Sequence, residues 1–389
     1  MKILVVAHES EFAGGANRAL FAILKYWSTN KLVEYEVLLP KANGECIDEL
    51  ERVGIKYHVI KYYKVFSETR NQIQDILRKA KVYSKFVYNK RAAKKISRLL
   101  KENDFQLVYS NTRMTSMGAC VAKELNIPHI VHIREFGNEN TIWGPANIKW
   151  INKNSIAIIT ISKALKKFLV NFVNEGKYYV SYDGVSYTHK RVIIEKKDDF
   201  VNILLTGRIA PAKAQDEAIK ALKILKDNGY KKIKLHFAGS QTGNSKYETE
   251  YYDNLKKMIE DYGLRDYVKF YGEVNDMKKL REKMDIELMC SLKETFGWVT
   301  VEGMRSGLLV IGGNTGATPE IIEDEKTGLL YEQGNAKNLV EKIIWAIDNP
   351  QKVLEIRKRA YLNSYNSFTI EKNAEEVLDI IKKSLKEKK

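Results

Sequence analysis

Short apolar runs alternate along this chain with longer stretches of helical periodicity, and this alternation restricts the fold more than any other feature. Strands are expected at Ile3–Ala7, Tyr35–Leu39, Tyr57–Ile60, Leu107–Ser110, His129–Ile133 and Ile156–Ile161. A second series is expected at Val201–Thr206, Ile233–Ala238, Val268–Tyr271, Ile286–Cys290, Leu308–Ile311 and Leu329–Tyr331. Helices are expected between them, for example over Ala16–Trp27, Ala214–Lys226, Glu248–Tyr262 and Lys337–Asp348. Strands that are apolar almost throughout belong to parallel sheets covered on both faces. The 389 residues are enough for two such units, at about 100–200 residues per domain. The expected class is therefore α/β, with two doubly wound, Rossmann-like domains in tandem.

The pattern lapses in the polar stretch Tyr187–Asp199, which sets the expected domains at residues 1–186 and 187–366. The end, Thr369–Lys389, has a helical stripe marked by Val377, Ile380 and Ile381, with no strand after it. At the start, Met1–Ala7 is too short for a signal-peptide core and is followed at once by Glu9 and Glu11, so it reads as a buried strand. No run approaches the roughly 18 apolar residues of a membrane span. Cys46, Cys120 and Cys290 lack metal-ligand spacing and read as reduced residues in or near the core of a cytosolic protein.

Open parallel sheets bind ligands at the carboxyl ends of their strands, so the chemistry is sought just after each strand. The first such loop, Phe12–Arg18, has Gly14 and Gly15 entering a helix, where free N–H groups can meet an anion; it is not the G-x-G-x-x-G of a nicotinamide site. After the first strand of the second domain, Gly207 and Arg208 lead through Pro211 to Lys213, an Arg fork and a Lys point charge suited to a diphosphate. In Ser291–Met304, Glu294 stands at a strand end and Gly297 turns the chain into a helix carrying Glu302. Carboxylates accept paired hydrogen bonds from vicinal hydroxyls, which suits a sugar and a ribose. The following Gly312–Glu320 segment has glycines that bring backbone close to a ligand, and Thr318 is expected to cap a helix beginning at Pro319. In the first domain, His132, Arg134 and Glu135 end a strand; a structural histidine explains His132 as well as a functional one.

Taken in order, AGGANR, GRIAPAK, the FAG of Phe237–Gly239, the YGEV of Tyr271–Val274, ETFGWVTVEGM and GGNTGATPEII before DEKTGLLY make the chain resemble a retaining glycosyltransferase of the GT-B fold, family 4 type (glycosyl transferases group 1). The resemblance spans nearly the whole chain. It implies two domains facing across a cleft, with residues 367–389 crossing back onto the first, acceptor-side domain. Arg208 and Lys213 would hold the donor diphosphate, and Glu302 the ribose hydroxyls. Glu294, with the backbone around Phe296 and Gly297, would hold the donor sugar. Gly15, Gly207, Trp298 and Val299 would complete the donor site, with Tyr271, Gly272 and Val274 beside the base and His132 near the transferred sugar. Catalysis would rest on Glu294, His132, Arg208 and Lys213. The glycine usual after the loop lysine is Ala214 here, a departure expected to be tolerated. No Asp-x-Asp motif stands near a strand end, so neither metal nor cofactor is expected, the nucleotide-sugar being a co-substrate. The implied reaction moves a hexosyl group from a UDP- or GDP-sugar to a lipid-linked or glycan acceptor in bacterial surface-polysaccharide synthesis, HIREF resembling members that build such polymers. The competing readings are a nucleotide-sugar epimerase of the same architecture and a membrane- or nucleic-acid-binding protein with a degenerate transferase fold.

The net charge is +16, and it is concentrated. Residues 61–101 hold 13 basic and 2 acidic residues, so this one segment carries +11. Arg78, Lys81 and Lys85 are expected on one helical face, and Lys94, Lys95, Arg98 and Lys101 in a second cluster, with Tyr62, Tyr63, Phe66, Tyr83, Phe86 and Tyr88 interleaved. A basic amphipathic helix with aromatics suits an anionic membrane surface, and no nucleic-acid module accompanies the charge. A solvated helix covering the sheet is the plain alternative. The expected location is the cytoplasm, peripherally on the inner face of the plasma membrane.

Overall fold

The computed structural model describes residues 1–12, 15–65, 67–68, 72–137, 141–142, 144–173, 177–186, 200–241 and 246–387. The polar stretch at 187–199, the paired Ala13 and Gly14, and Phe66 lie outside the described residues. Two compact units form, one from Met1–Gly184 with Ile370–Lys389 and the other from Val185–Thr369.

In the first unit the strands are β1 (Lys2–Val6), β2 (Glu34–Leu39), β3 (Tyr57–Val59), β4 (Ser67–Glu68), β5 (Leu107–Asn111), β6 (His129–Ile133), β7 (Thr141–Ile142), β8 (Ala157–Thr160) and β9 (Tyr178–Val180). Seven of them form a parallel sheet in the order β3-β2-β1-β5-β6-β8-β9, while β4 and β7 pair antiparallel. The alternation within β1 shows why both faces are covered. Ile3 and Val5 join one core with Leu20, Ile23, Leu24 and Trp27 of the helix Gly15–Thr29. Leu4 and Val6 join the opposite core with Ala93, Ile96 and Leu100 of the helix Gln72–Leu100. The chain's last helix, Ile370–Glu387, adds Ala374, Val377, Leu378 and Ile381 to the first of these cores, and Ala374 O accepts a hydrogen bond from Trp27 Nε1 at 2.9 Å.

The second unit has β10 (Val201–Thr206), β11 (Ile233–Ala238), β12 (Val268–Phe270), β13 (Ile286–Met289), β14 (Leu309–Gly313) and β15 (Leu329–Tyr331) in one parallel sheet, ordered β12-β11-β10-β13-β14-β15. Strand order reverses between β10 and β13, so the loops leaving these neighbours diverge and open a crevice at their carboxyl ends. Near the base of the unit, Arg305 Nη2 donates to the carbonyls of Ser364 and Phe368, each at 2.9 Å, and Nη1 donates to that of Val185. One buried guanidinium thus ties the chain's entry into this unit to its exit.

The short pair β4 and β7 was not expected, and three further features differ from expectation. Strand β9 was not anticipated, because YYV is a three-residue edge strand, too short to show as an apolar run. Strand β14 runs on through Gly312 and Gly313, which are buried in the sheet rather than looped around a ligand. A Cβ on Gly312 would stand 2.5 Å from Thr318 Cγ2 and 2.9 Å from Ile322 Cδ1, so packing requires glycine there, while one on Gly313 would displace the Gln333 amide. Thr318 does not cap: it is the first residue of the helix Thr318–Ile321, and its methyl fills the space beside Gly312.

Candidate functional site

At the crevice of the second unit, the chain leaving β10 passes through Gly207 and Arg208 into a turn at Pro211–Lys213 before the helix Gln215–Asp227. Ala214 joins turn and helix with φ +49°, the left-handed region where a glycine is easier. The turn aims Lys213 across to the chain leaving β13, where Nζ donates to Glu294 Oε2 at 2.9 Å and Ser291 Oγ at 3.2 Å. Lys213 and Glu294 both remain partly exposed, so the pair is open to a ligand on one side. Arg208 is more exposed and pairs with Glu248 of the helix Lys246–Asp261 at 3.1 Å. The two cations expected at a diphosphate are each held by a carboxylate.

Close backbone contact builds the floor. Gly207 N donates to Ala238 O at 2.8 Å, and Gly239 N donates to Gly272 O at 2.7 Å. A Cβ on Gly239 would lie 2.1 Å from Gly207 O, so only glycine permits this approach at φ +154°. Beside this ledge, Tyr271 lies on His236, with its hydroxyl 3.3 Å from Nδ1, and Val274 packs with Leu204 and Leu280.

Gly297, at φ +110°, turns the chain into the helix Trp298–Arg305. The Phe296 ring is buried against Phe368, so only the backbone there can meet a ligand, whereas Trp298 and Val299 are half-buried. Glu302, one turn on, also stays partly exposed, and its Oε2 forms an ion pair with Arg281 Nη1 at 2.8 Å. The same guanidinium grips Glu287 of β13 through Nε at 2.9 Å and Nη2 at 3.1 Å. Thr206 Oγ1 donates to Glu287 as well, at 2.7 Å. Burial opposes the charge on Arg281, but Glu287 and then Glu302 outweigh it and hold the proton more firmly than usual. The sequence reading missed Arg281, Glu287 and Glu248; the signal for one of them was a glutamate inside the apolar strand IELM.

In the first unit, Gly15 opens its helix with free space around its Cα, and His132 is wholly buried on β6. Its Nδ1 lies 2.6 Å from the Tyr109 hydroxyl and 3.2 Å from Arg134 Nη2. A guanidinium only donates, so Nδ1 accepts and the proton sits on Nε2. Burial, reinforced by Arg134, pushes the imidazole pKa well below its ordinary range and keeps it neutral. Arg134 binds Asp183 and, through Nε, Asn111 Oδ1 at 2.8 Å; Glu135 accepts from the backbone N–H groups of Arg113 and Arg134. The adjacent Arg134 and Glu135 are therefore structural to this unit.

The basic helix Gln72–Leu100 is anchored by Val82, Phe86, Asn89, Ala93, Ile96 and Leu100. Lys81, Lys94, Lys95, Arg98 and Lys101 are exposed, as are Ile76, Leu77 and Tyr83 nearer its start, while Arg78 and Lys85 are half-buried. Two expected surface aromatics belong to the core: Tyr62 donates to Leu38 O at 2.9 Å, and Phe86 packs edge-on against Trp150.

Residues 187–366 match the family of glycosyl transferases group 1. The chain is 28% identical over 311 residues to MJ1178 of Methanocaldococcus jannaschii, an uncharacterized glycosyltransferase, covering 76% of this chain and 81% of that one. It is 27% identical to the poly(ribitol-phosphate) alpha-N-acetylglucosaminyltransferase of Staphylococcus aureus, over 67% of this chain and 50% of that one. Among solved structures, Anabaena Alr3699/HepE in complex with UDP superposes with a TM-score of 0.79 at 22% identity, over 98% of this chain and 100% of that one. That sequence match and this fold agree: residues 187–366 match the glycosyl transferases group 1 family, the chain has the GT-B fold, and together they support a glycosyltransferase.

Proposed function

We propose that the chain is a retaining, metal-independent glycosyltransferase of family 4 type that moves a hexosyl group from a UDP- or GDP-sugar to a lipid-linked or glycan acceptor. The observation that carries this reading is the meeting of Lys213, Ser291 and Glu294 where the strand order reverses between β10 and β13. A diphosphate entering there replaces Glu294 as the partner of Lys213 and is met by Arg208, while the freed Glu294 accepts hydroxyl hydrogen bonds from the sugar. Solved structures of Anabaena HepE with UDP and with UDP-glucose support a nucleotide-sugar donor.

Breaking the anomeric C–O bond places negative charge on the departing diphosphate. Arg208, Lys213 and the N–H groups opening the helix Trp298–Arg305 stabilise that charge, which is the role a metal would otherwise fill. The acceptor oxygen attacks on the face the diphosphate leaves, its proton passes to the leaving phosphate oxygen, and configuration is retained. Glu302 takes the ribose hydroxyls, and the Tyr271–Val274 segment borders the base. The acceptor side carries the exposed basic helix, which docks on the anionic inner leaflet and brings a lipid-linked acceptor within reach; the product serves bacterial surface-polysaccharide assembly.

The test joins binding and turnover. A thermal-shift panel of UDP-, GDP-, ADP- and dTDP-sugars identifies the donor, because a ligand bound only by the folded state raises its melting temperature. With that donor, Lys213→Ala or Glu294→Ala should lower transfer at least a hundredfold, the loss typical for removing one stabilising group at a developing charge being about 10²–10³. Wild-type turnover by Lys213→Ala would remove the diphosphate role.

A further inference from the structure

One side chain beneath the candidate site has a place that no motif predicted. Arg281 ends the short helix Met277–Arg281 and is 1% exposed, yet its guanidinium reaches two carboxylates of opposite character. Glu287 is 0% exposed and accepts hydrogen bonds from Nε and Nη2; Glu302 is 27% exposed and makes an ion pair with Nη1 through Oε2 at 2.8 Å. The backbone is shaped around this arrangement. A Cβ on Gly303, the residue after Glu302, would stand 2.7 Å from Glu287 Oε2, so a larger residue there would press on the carboxylate that Arg281 holds.

Electrostatics requires the arrangement to act as a unit. A lone buried Glu287 would be costly, and Arg281 with Thr206 satisfies it. Glu302 alone on a helix face would sample several rotamers; paired with the buried Arg281, it samples fewer. Such a carboxylate presents acceptors to two adjacent hydroxyls without first being ordered.

Resting on the reading of Glu302 as the ribose ligand, we propose that Arg281, anchored by Glu287, is the positioning residue that lets this site distinguish a ribonucleotide from its deoxy form. Arg281 touches no substrate. It acts through Glu302, so its removal erases the contribution of the ribose hydroxyls and leaves contacts to phosphate and base in place.

Calorimetry with the full-length chain measures affinity for UDP, GDP and ADP and for their 2′,3′-dideoxy forms. The wild type should prefer the ribose form of the nucleotide it binds by about tenfold, the scale of one hydrogen bond to a charged group. The double replacement Arg281→Met with Glu287→Leu removes the buried pair together, an exchange that proteins often tolerate. It should bring the ribose-to-dideoxy ratio close to one, with dideoxy affinity changed less than twofold. Arg281→Lys, which keeps the buried charge balanced but lacks the fork, should give an intermediate ratio and serves if the double variant does not fold. Glu302→Gln should lower the ratio in the wild type and change nothing further in the double variant, the signature of one coupled unit. Equal losses for ribose and dideoxy forms, with the ratio intact, would overturn the proposal and leave Arg281 a stabilising residue only. A wild type without any ribose preference would instead remove Glu302 as the ribose ligand, and binding of none of the nucleotides would remove the donor reading itself.

Discussion

Gly316 shows how a single residue governs the candidate site from outside it. It has φ +56°, and a Cβ there would stand 2.4 Å from Glu294 O and 2.7 Å from Glu294 N. Both neighbours are backbone, so nothing yields by a rotamer change; the chain carrying Glu294 must move. Gly316→Ala should therefore cost about 1–3 kcal/mol in urea unfolding and should reduce transfer by displacing Glu294 from Lys213. An unchanged midpoint and rate would mean that the two loops are not packed as described. Residues of this kind were only half legible in the sequence. Lys213, Glu294 and Glu302 stand in local patterns of strand, turn and helix, so their place beyond the carboxyl ends of β10 and β13 followed from topology. Arg281 and Glu287 follow no local spacing, and Arg208's partner Glu248 comes from a separate helix. Contacts between distant segments leave no periodicity to read. Gly312 and Gly313 misled for the converse reason: a glycine that admits a ligand and one that admits a neighbouring side chain look alike in a sequence.

At the scale of elements, the last helix is the clearest case of a sequence pattern that needs tertiary context. Its apolar stripe was visible, but no strand follows for it to cover. The structure gives it to the first unit, where Val377 and Ile381 are wholly buried with Ile3, Val5 and Ile159, and where Asn373 Nδ2 donates to Ser181 Oγ at 3.0 Å. Ile381→Ala should therefore destabilise the first unit by about 2–5 kcal/mol, the usual range for such a truncation in a close-packed core. Hydrogen exchange resolves the effect by unit: amides of β1, β5 and β8 should lose protection while those of β10 and β13 keep it. Equal loss in both sheets would contradict a core confined to the first unit. Most strands were legible because a doubly covered parallel strand is apolar throughout; β9 escaped because an edge strand has no such run.

For the molecule as a whole, the deciding quantity is where the charge lies rather than its total. A net charge of +16 spread evenly would give weak, non-specific attraction to any polyanion, but +11 of it belongs to residues 61–101. Much of that segment is the helix Gln72–Leu100, whose apolar anchors are used up on the first unit's core. Its outward side then presents Lys81, Lys94, Lys95 and Arg98 together with exposed Ile76, Leu77 and Tyr83, a combination that solvent alone does not require. Near an anionic leaflet each such cation contributes about 1 kcal/mol, within a screening distance of about 8 Å at physiological salt. The full chain should therefore sediment with vesicles containing anionic lipid and not with neutral ones, and 0.5 M salt should release it. Replacing Lys94, Lys95 and Arg98 by Gln removes three charges and should weaken vesicle binding by about two orders of magnitude or more, while donor affinity measured in solution stays unchanged. Equal binding to neutral and anionic vesicles, or no binding to either, would make this helix a solvated cover for its sheet.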